Sequence, residues 1–199
     1  RRRIRDQRAT FRNYETIERI GNMSDTNKIR YGFKNVYYAL FKELEGAVTY
    51  ATPKQWKGAK SLTLDPEGET NIFYADDIAY NTENINNGYT GSLEMAYLTD
   101  DVKQDIFNYV KTSRGTLAED ANKTPNPFAL ICEFTGDKHG TRHVFFKVIP
   151  SRPNLEANTK EDSIDPDTTS LDLTIVPVAD GDHAWVQEPY SADSAEYST

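Results

Sequence analysis

The chain has 199 residues, of which 37% are apolar, 12% aromatic and 27% charged, enough for one ordinary domain with its own core. Its 12 Tyr and 9 Phe argue against disorder throughout, and 9 Pro and 11 Gly are too few for collagen-like or proline-rich low-complexity classes. No apolar run approaches the ~20 residues of a membrane-spanning helix, and the net charge of −8 divides into a basic residues 1–22 and a body of net −12 that repels nucleic-acid phosphates.

Residues 1–27 read as an N-terminal extension or arm. Within it, residues 1–22 carry Arg1, Arg2, Arg3, Arg5, Arg8, Arg12 and Arg19 and read as a translated leader ahead of a second start at Met23; a nucleic-acid-binding or partner-binding basic arm is the other reading. From Tyr31 to Phe41 period-two alternation predicts a strand, with Phe33, Asn35, Tyr37, Ala39 and Phe41 on one face and Lys34, Val36, Tyr38, Leu40 and Lys42 on the other. Glu45-Gly46 predicts a turn before a strand over 47–51, and 58–64 predicts another. Asp65-Pro66-Glu67-Gly68 reads as a turn, 70–80 as an extended run, and Asn86-Asn87-Gly88 as hairpin chemistry.

Alternation of Tyr89, Gly91, Leu93, Met95 and Tyr97 predicts the next strand. Thr99 is an N-cap followed by Asp100 and Asp101, and Val102, Ile106, Tyr109 and Val110 recur at helical spacing, so one amphipathic helix is expected before Arg114-Gly115. Residues 128–134 and 142–149 flank Gly136-Asp137-Lys138-His139-Gly140 as a hairpin. The polar stretch 151–168 is a long connection, Leu171, Leu173 and Ile175 alternate in a last strand, and 179–199 reads as an acidic, loose tail. About eight or nine strands with a single helix predict a mainly β protein: two packed antiparallel sheets, a sandwich or small barrel, with one flanking helix over residues 28–178.

Chemistry-bearing patterns are weak. His139 and His143 with Asp137, and Glu133 across the hairpin, are the best metal candidates, but a turn-then-strand setting suits that spacing poorly, and hairpin hydrogen bonding is the plainer reading. Asp65, Glu67, Glu69, Asp76 and Asp77 are adjacent acids without the opposed geometry of a glycosidase pair. Cys132 sits among apolar residues as a buried small hydrophobe, not an activated thiolate. No nucleophile elbow or phosphate loop is present, so a non-enzymatic protein without cofactor or metal is expected. Phe73, Tyr74 and Tyr80 beside Asp76 and Asp77 suit either a sugar-stacking face or a subunit interface, and the interface reading is preferred.

Several of these segments occur together in one known family. RYGFKNVYYAL (30–40), LDPEGET (64–70), FYADDIAY (73–80), NNGYTGSLEMA (86–96), GDKHGTRHVFFKV (136–148) and TKEDSIDPDTTSLDLT (159–174) resemble, in the same order, the phi13-type major tail proteins of siphophages; the resemblance spans roughly 28–178. It implies a structural virion protein of the tail tube, located in the virion and, during assembly, in the host cytoplasm. Hexameric rings of such subunits stack into a conduit for DNA ejection, with a tape measure protein in the lumen and tail terminator and distal tail proteins at the ends. The family's motifs name no catalytic residues, and DNA passes without specific binding. The alternative is a carbohydrate-binding or adhesin module of a phage tail tip. Candidate contacts between subunits or rings are Val36 and Tyr38 on one face of the first strand, Trp56 in the 46–56 region, and Asp162, Asp165 and Asp167 in the long connection.

Overall fold

The computed structural model of the chain describes residues 32–75, 77–136, 140–155 and 167–190. Strand β1 (Phe33–Leu44) turns at Glu45-Gly46 into β2 (Ala47–Tyr50). Both turn residues have positive φ, 51° and 81°, the backbone of a two-residue hairpin turn whose twist matches that of the strands. The short β3 (Lys54–Gln55) returns along β1, pairing Tyr37 with Gln55. A long hairpin follows, β4 (Ala59–Ala75) and β5 (Ile78–Met95), then helix α1 (Asp100–Asp105) and the small ribbon β6 (Val110–Lys111) and β7 (Leu117–Ala118). The chain continues through β8 (Phe128–Phe134), β9 (Arg142–Pro150) and β10 (Thr169–Ile175), and ends in β11 (Val178–Asp180), β12 (His183–Trp185) and β13 (Gln187–Tyr190).

Nine of these strands make one sheet in the order β2-β1-β8-β9-β10-β5-β4, with β3 also on β1 and β13 also on β9. The sheet curls. Val36 and Tyr38 near one end and Leu93 and Met95 near the other are buried in a single core cluster, with Phe128, Leu130, Leu171, Leu173 and Ile175 between them. Residues 54–59 bridge the two ends: the Trp56 amide donates to the Val36 carbonyl (2.7 Å), and the Ala96 amide donates to the Gly58 carbonyl (2.7 Å). No ladder joins β1 to β4 among the described residues, so the barrel is not closed. The mainly β, antiparallel, one-helix architecture expected from the sequence is what the described residues adopt, its layers being continuous parts of one curled sheet. At the centre Trp56, Tyr38 and Phe128 meet edge to face, with centroids 5.8 to 6.5 Å apart, each such pair contributing about 0.5–1.5 kcal/mol beyond its buried area.

Four local expectations are corrected. The Asp65–Gly68 and Asn86–Gly88 signals are not turns: β4 and β5 run straight through them, and the reversal comes after Ala75, which pairs with Ile78, with Asp77 at φ 62°. The two signals lie opposite each other. Glu67 pairs with Gly88 and Gly68 with Asn86, so Asn87 is an extra residue and the pair kinks at a bulge. Pro66 is tolerated because β4 ends the strand order, where a missing N–H can face away from the ladder.

The helix stops at Asp105 and does not reach Val110. Thr99 caps its start by accepting the Val102 amide (3.5 Å). Its end is fixed by Asn108 in the left-handed region (φ 57°), which exchanges side-chain hydrogen bonds with Asn126 (3.0 and 3.1 Å) while the Asn126 amide takes the Ile106 carbonyl (2.6 Å). In β1, Asn35 (φ 51°) forms a bulge between Lys34 and Tyr37. That bulge inverts the phase of the strand's start, so Phe33 packs on the same core as Val36 and Tyr38 instead of beside Tyr37. Residues 179–190 are not loose: β11 and β12 form a hairpin, and β13 pairs along residues 142–145 of β9.

Candidate assembly surfaces

Val36, Tyr38 and Trp56 were candidates for subunit contact, but they are 2%, 2% and 1% exposed inside the chain's own core and offer no surface to a partner. The Tyr38 hydroxyl donates to Asp105 Oδ2 at the end of α1 (2.8 Å), and Lys54 Nζ reaches the same oxygen (2.6 Å). Burial and the Asp105 carboxylate push the Tyr38 hydroxyl well above the usual phenol range, so this trio ties α1 to β1 and β3. Asp162 and Asp165 lie outside the described residues. Asp167 is exposed at the root of the long connection. That connection is anchored at both described ends: Arg152 pairs with Glu119 and donates to the Lys123 carbonyl (3.1 Å), and Thr168 donates to Glu94 Oε1 (2.5 Å).

The candidates for chemistry do not converge. Asp76, Asp137 and His139 lie outside the described residues; among those described, no three His, Cys, Asp or Glu side chains come together as metal ligands. The His143 ring packs on Phe134 (5.2 Å), and Glu133 accepts Arg142 Nε (3.0 Å). Cys132 is fully buried, and burial pushes its thiol up to about 12, the setting of an inert core cysteine.

The exposed surface is more informative. Below the bulge the β4–β5 pair lies on the core through Leu62, Leu64 and Leu93. Beyond it, from Glu67 to Asn87, every described side chain is exposed, and the pair extends about nine residues per strand as a two-stranded arm, roughly 30 Å long. Its end carries Phe73, Tyr74, Ile78 and Tyr80, 62–72% exposed. Two strands alone are marginal in water, and so many exposed large apolar groups at one place mark an interaction surface. Residues 65–89 also carry six acids, and no Lys or Arg occurs between 61 and 102.

A second surface was missed by the sequence. On the side of β1, β8 and β9 away from the core lies an open apolar hollow of about 420 Å³, walled by Ala39, Ala129, Ile131, Val144, Phe146 and the Tyr50–Pro53 segment. The small Ala39 and Ala129, adjacent across the ladder, leave the space. Tyr50 stacks edge-on to Phe41 (5.7 Å) and forms one rim. The only signal was alternation that left β1 and β8 apolar on both faces, which reads equally well as a doubly covered strand.

No family model matches the chain, and no curated protein is similar to it. Among solved structures, a chain of the anti-feeding prophage (AFP) baseplate, imaged by electron cryomicroscopy with six-fold symmetrisation, is similar at 11% identity and a TM-score of 0.44, covering 83% of this chain and 97% of that one. The resemblance to phi13-type major tail proteins therefore stands on the sequence segments alone.

Proposed function

We propose that the protein is a structural virion component of a long-tailed phage that assembles into stacked hexameric rings forming the tail tube. It acts by assembly, with no catalytic step. The observation that carries this reading is the ordered series of segments, over roughly 28–178, that resembles the phi13-type family. Among the described residues, the antiparallel, one-helix fold and an apolar arm left exposed are in keeping with a subunit that finishes its burial against neighbours. The tape measure protein in the lumen and the terminator and distal tail proteins at the ends are the partners this role entails. Negative-stain microscopy of the purified chain should show rings or tubes; monodisperse monomer at every concentration would overturn the reading.

Exposed Phe73, Tyr74 and Tyr80 on the arm also favour a second reading, an adhesin or carbohydrate-binding module whose rings stack on sugar faces. Glycan-array binding that is lost in Tyr74→Ala and Tyr80→Ala, with no assembly, would support it over the first.

A further inference from the structure

Resting on the assembly reading, we propose that the apolar end of the arm of one copy seats in the hollow on the β1–β8–β9 face of the next copy. The two features lie on different parts of the same chain, both apolar, one protruding and exposed and the other concave and open to solvent. A volume of about 420 Å³ falls within the ~300–1,000 Å³ of cavities that take apolar groups the size of a small ligand, room for aromatic side chains from an arm tip.

Charge favours this pairing over arm against arm. Residues 65–89 carry six acids and no base, so two arms repel each other. The strands walling the hollow, β1, β2, β8 and β9, carry Lys34, Lys42, Arg142 and Lys147 against Glu43 and Glu133. Two of those bases are already paired, Arg142 with Glu133 and Lys147 with Glu43, Glu188 of β13 lies opposite Val144, and no residue lining the hollow is charged, so the acidic arm meets a face without a surplus of acid. A knob and a hole at separate sites make a head-to-tail contact, which closes into a ring or continues as a filament, whereas a self-complementary patch stops at a dimer.

The test uses two variants of the full chain, both at exposed positions: an arm variant, Phe73→Ser with Tyr74→Ser, and a hollow variant, Ala51→Glu with Thr52→Glu at the rim. Circular dichroism checks that each is folded, and analytical ultracentrifugation follows assembly. Each variant alone should raise the concentration at which the chain assembles by about tenfold or more, as loss of a buried aromatic anchor does. Mixed in equal amounts below that raised concentration, they should form heterodimers and stop, because only one intact arm and one intact hollow remain per pair. Wild-type assemblies unaffected by either variant, or a mixture that stays monomeric, would overturn the arm-in-hollow contact while leaving the assembly reading intact. A wild-type chain that stays monomeric throughout would overturn both.

Discussion

Glu94 shows how much one surface carboxylate can organise. Its oxygens accept Lys60 Nζ (2.6 Å), Thr168 Oγ1 (2.5 Å) and Ser61 Oγ (3.0 Å), joining β4, β5 and the end of the long connection before β10. Those donors, Lys60 first, hold its carboxyl down to about 2 from an ordinary value of 4.5. A folded pKa below the unfolded one means that the stabilisation is complete above about 4.5 and is lost as pH falls toward 2. Glu94→Gln should therefore lower stability at neutral pH and flatten the thermal-stability profile across that window by the same amount; an unchanged acid limb would reject the assignment. Tyr38 makes a sharper case. Tyr38→Phe keeps the ring against Trp56 and Phe128 and loses the bond to Asp105, a cost of about 1.5 kcal/mol, or a few degrees in melting temperature. Tyr38→Asp or Val36→Asp puts an unpaired carboxylate in the core and should unfold the chain; a folded monomer from either would restore these residues as a partner surface.

Among the elements, those with one clear signal were legible. β8, β9 and β10 match their predicted spans closely because runs of apolar, branched and aromatic residues lie between clear turn or loop signals, and β10 alternates, with Leu171, Leu173 and Ile175 buried while Asp172 and Thr174 are exposed. The long hairpin was misread because a turn signal and a bulge signal use the same residues: Pro, Gly and Asn also serve where one strand of a pair carries an extra residue. Only the pairing partner distinguishes the two, and pairing is not written in either segment alone. Gly88 is the critical residue of that kink, with φ 108°. A Cβ there would stand 1.9 Å from the Ile175 carbonyl oxygen of β10, so Gly88→Ala should cost about 1–3 kcal/mol or more from backbone strain and clash. Pro66→Thr, on the facing edge strand, should be near neutral. Equal melting temperatures for the two variants would show that the kink is not held there. Replacing residues 70–84 of the arm by a two-residue turn should also leave the melting temperature within a few degrees, since the arm covers no part of the core; unfolding would show that the arm stabilises the subunit itself.

At the scale of the molecule, the net charge of −8 is concentrated in a body of −12, and the stretch from 61 to 102 has no base at all. Copies of the same net charge repel one another at long range, so association is slowed by a field that salt can screen, whatever pairs of charges meet at the contact itself. Raising ionic strength from ~0.01 M to ~0.15 M shortens the screening length from about 30 Å to about 8 Å, less than the reach of the arm. Assembly should therefore start at lower protein concentration in the higher salt, the reverse of what a subunit held together by surface ion pairs would do. The same field bears on the proposed conduit. A wall lined by acids from residues 30–100 would keep phosphates off it, and duplex DNA should neither nucleate assembly nor be retained by preformed assemblies at ~0.05 M salt, where nonspecific binding is strongest. Light scattering against salt, with and without DNA, measures both effects. Assembly that weakens steadily with added salt would mean that attraction at the contacts outweighs the net repulsion, and assembly that DNA accelerates would mean that bases line the proposed channel.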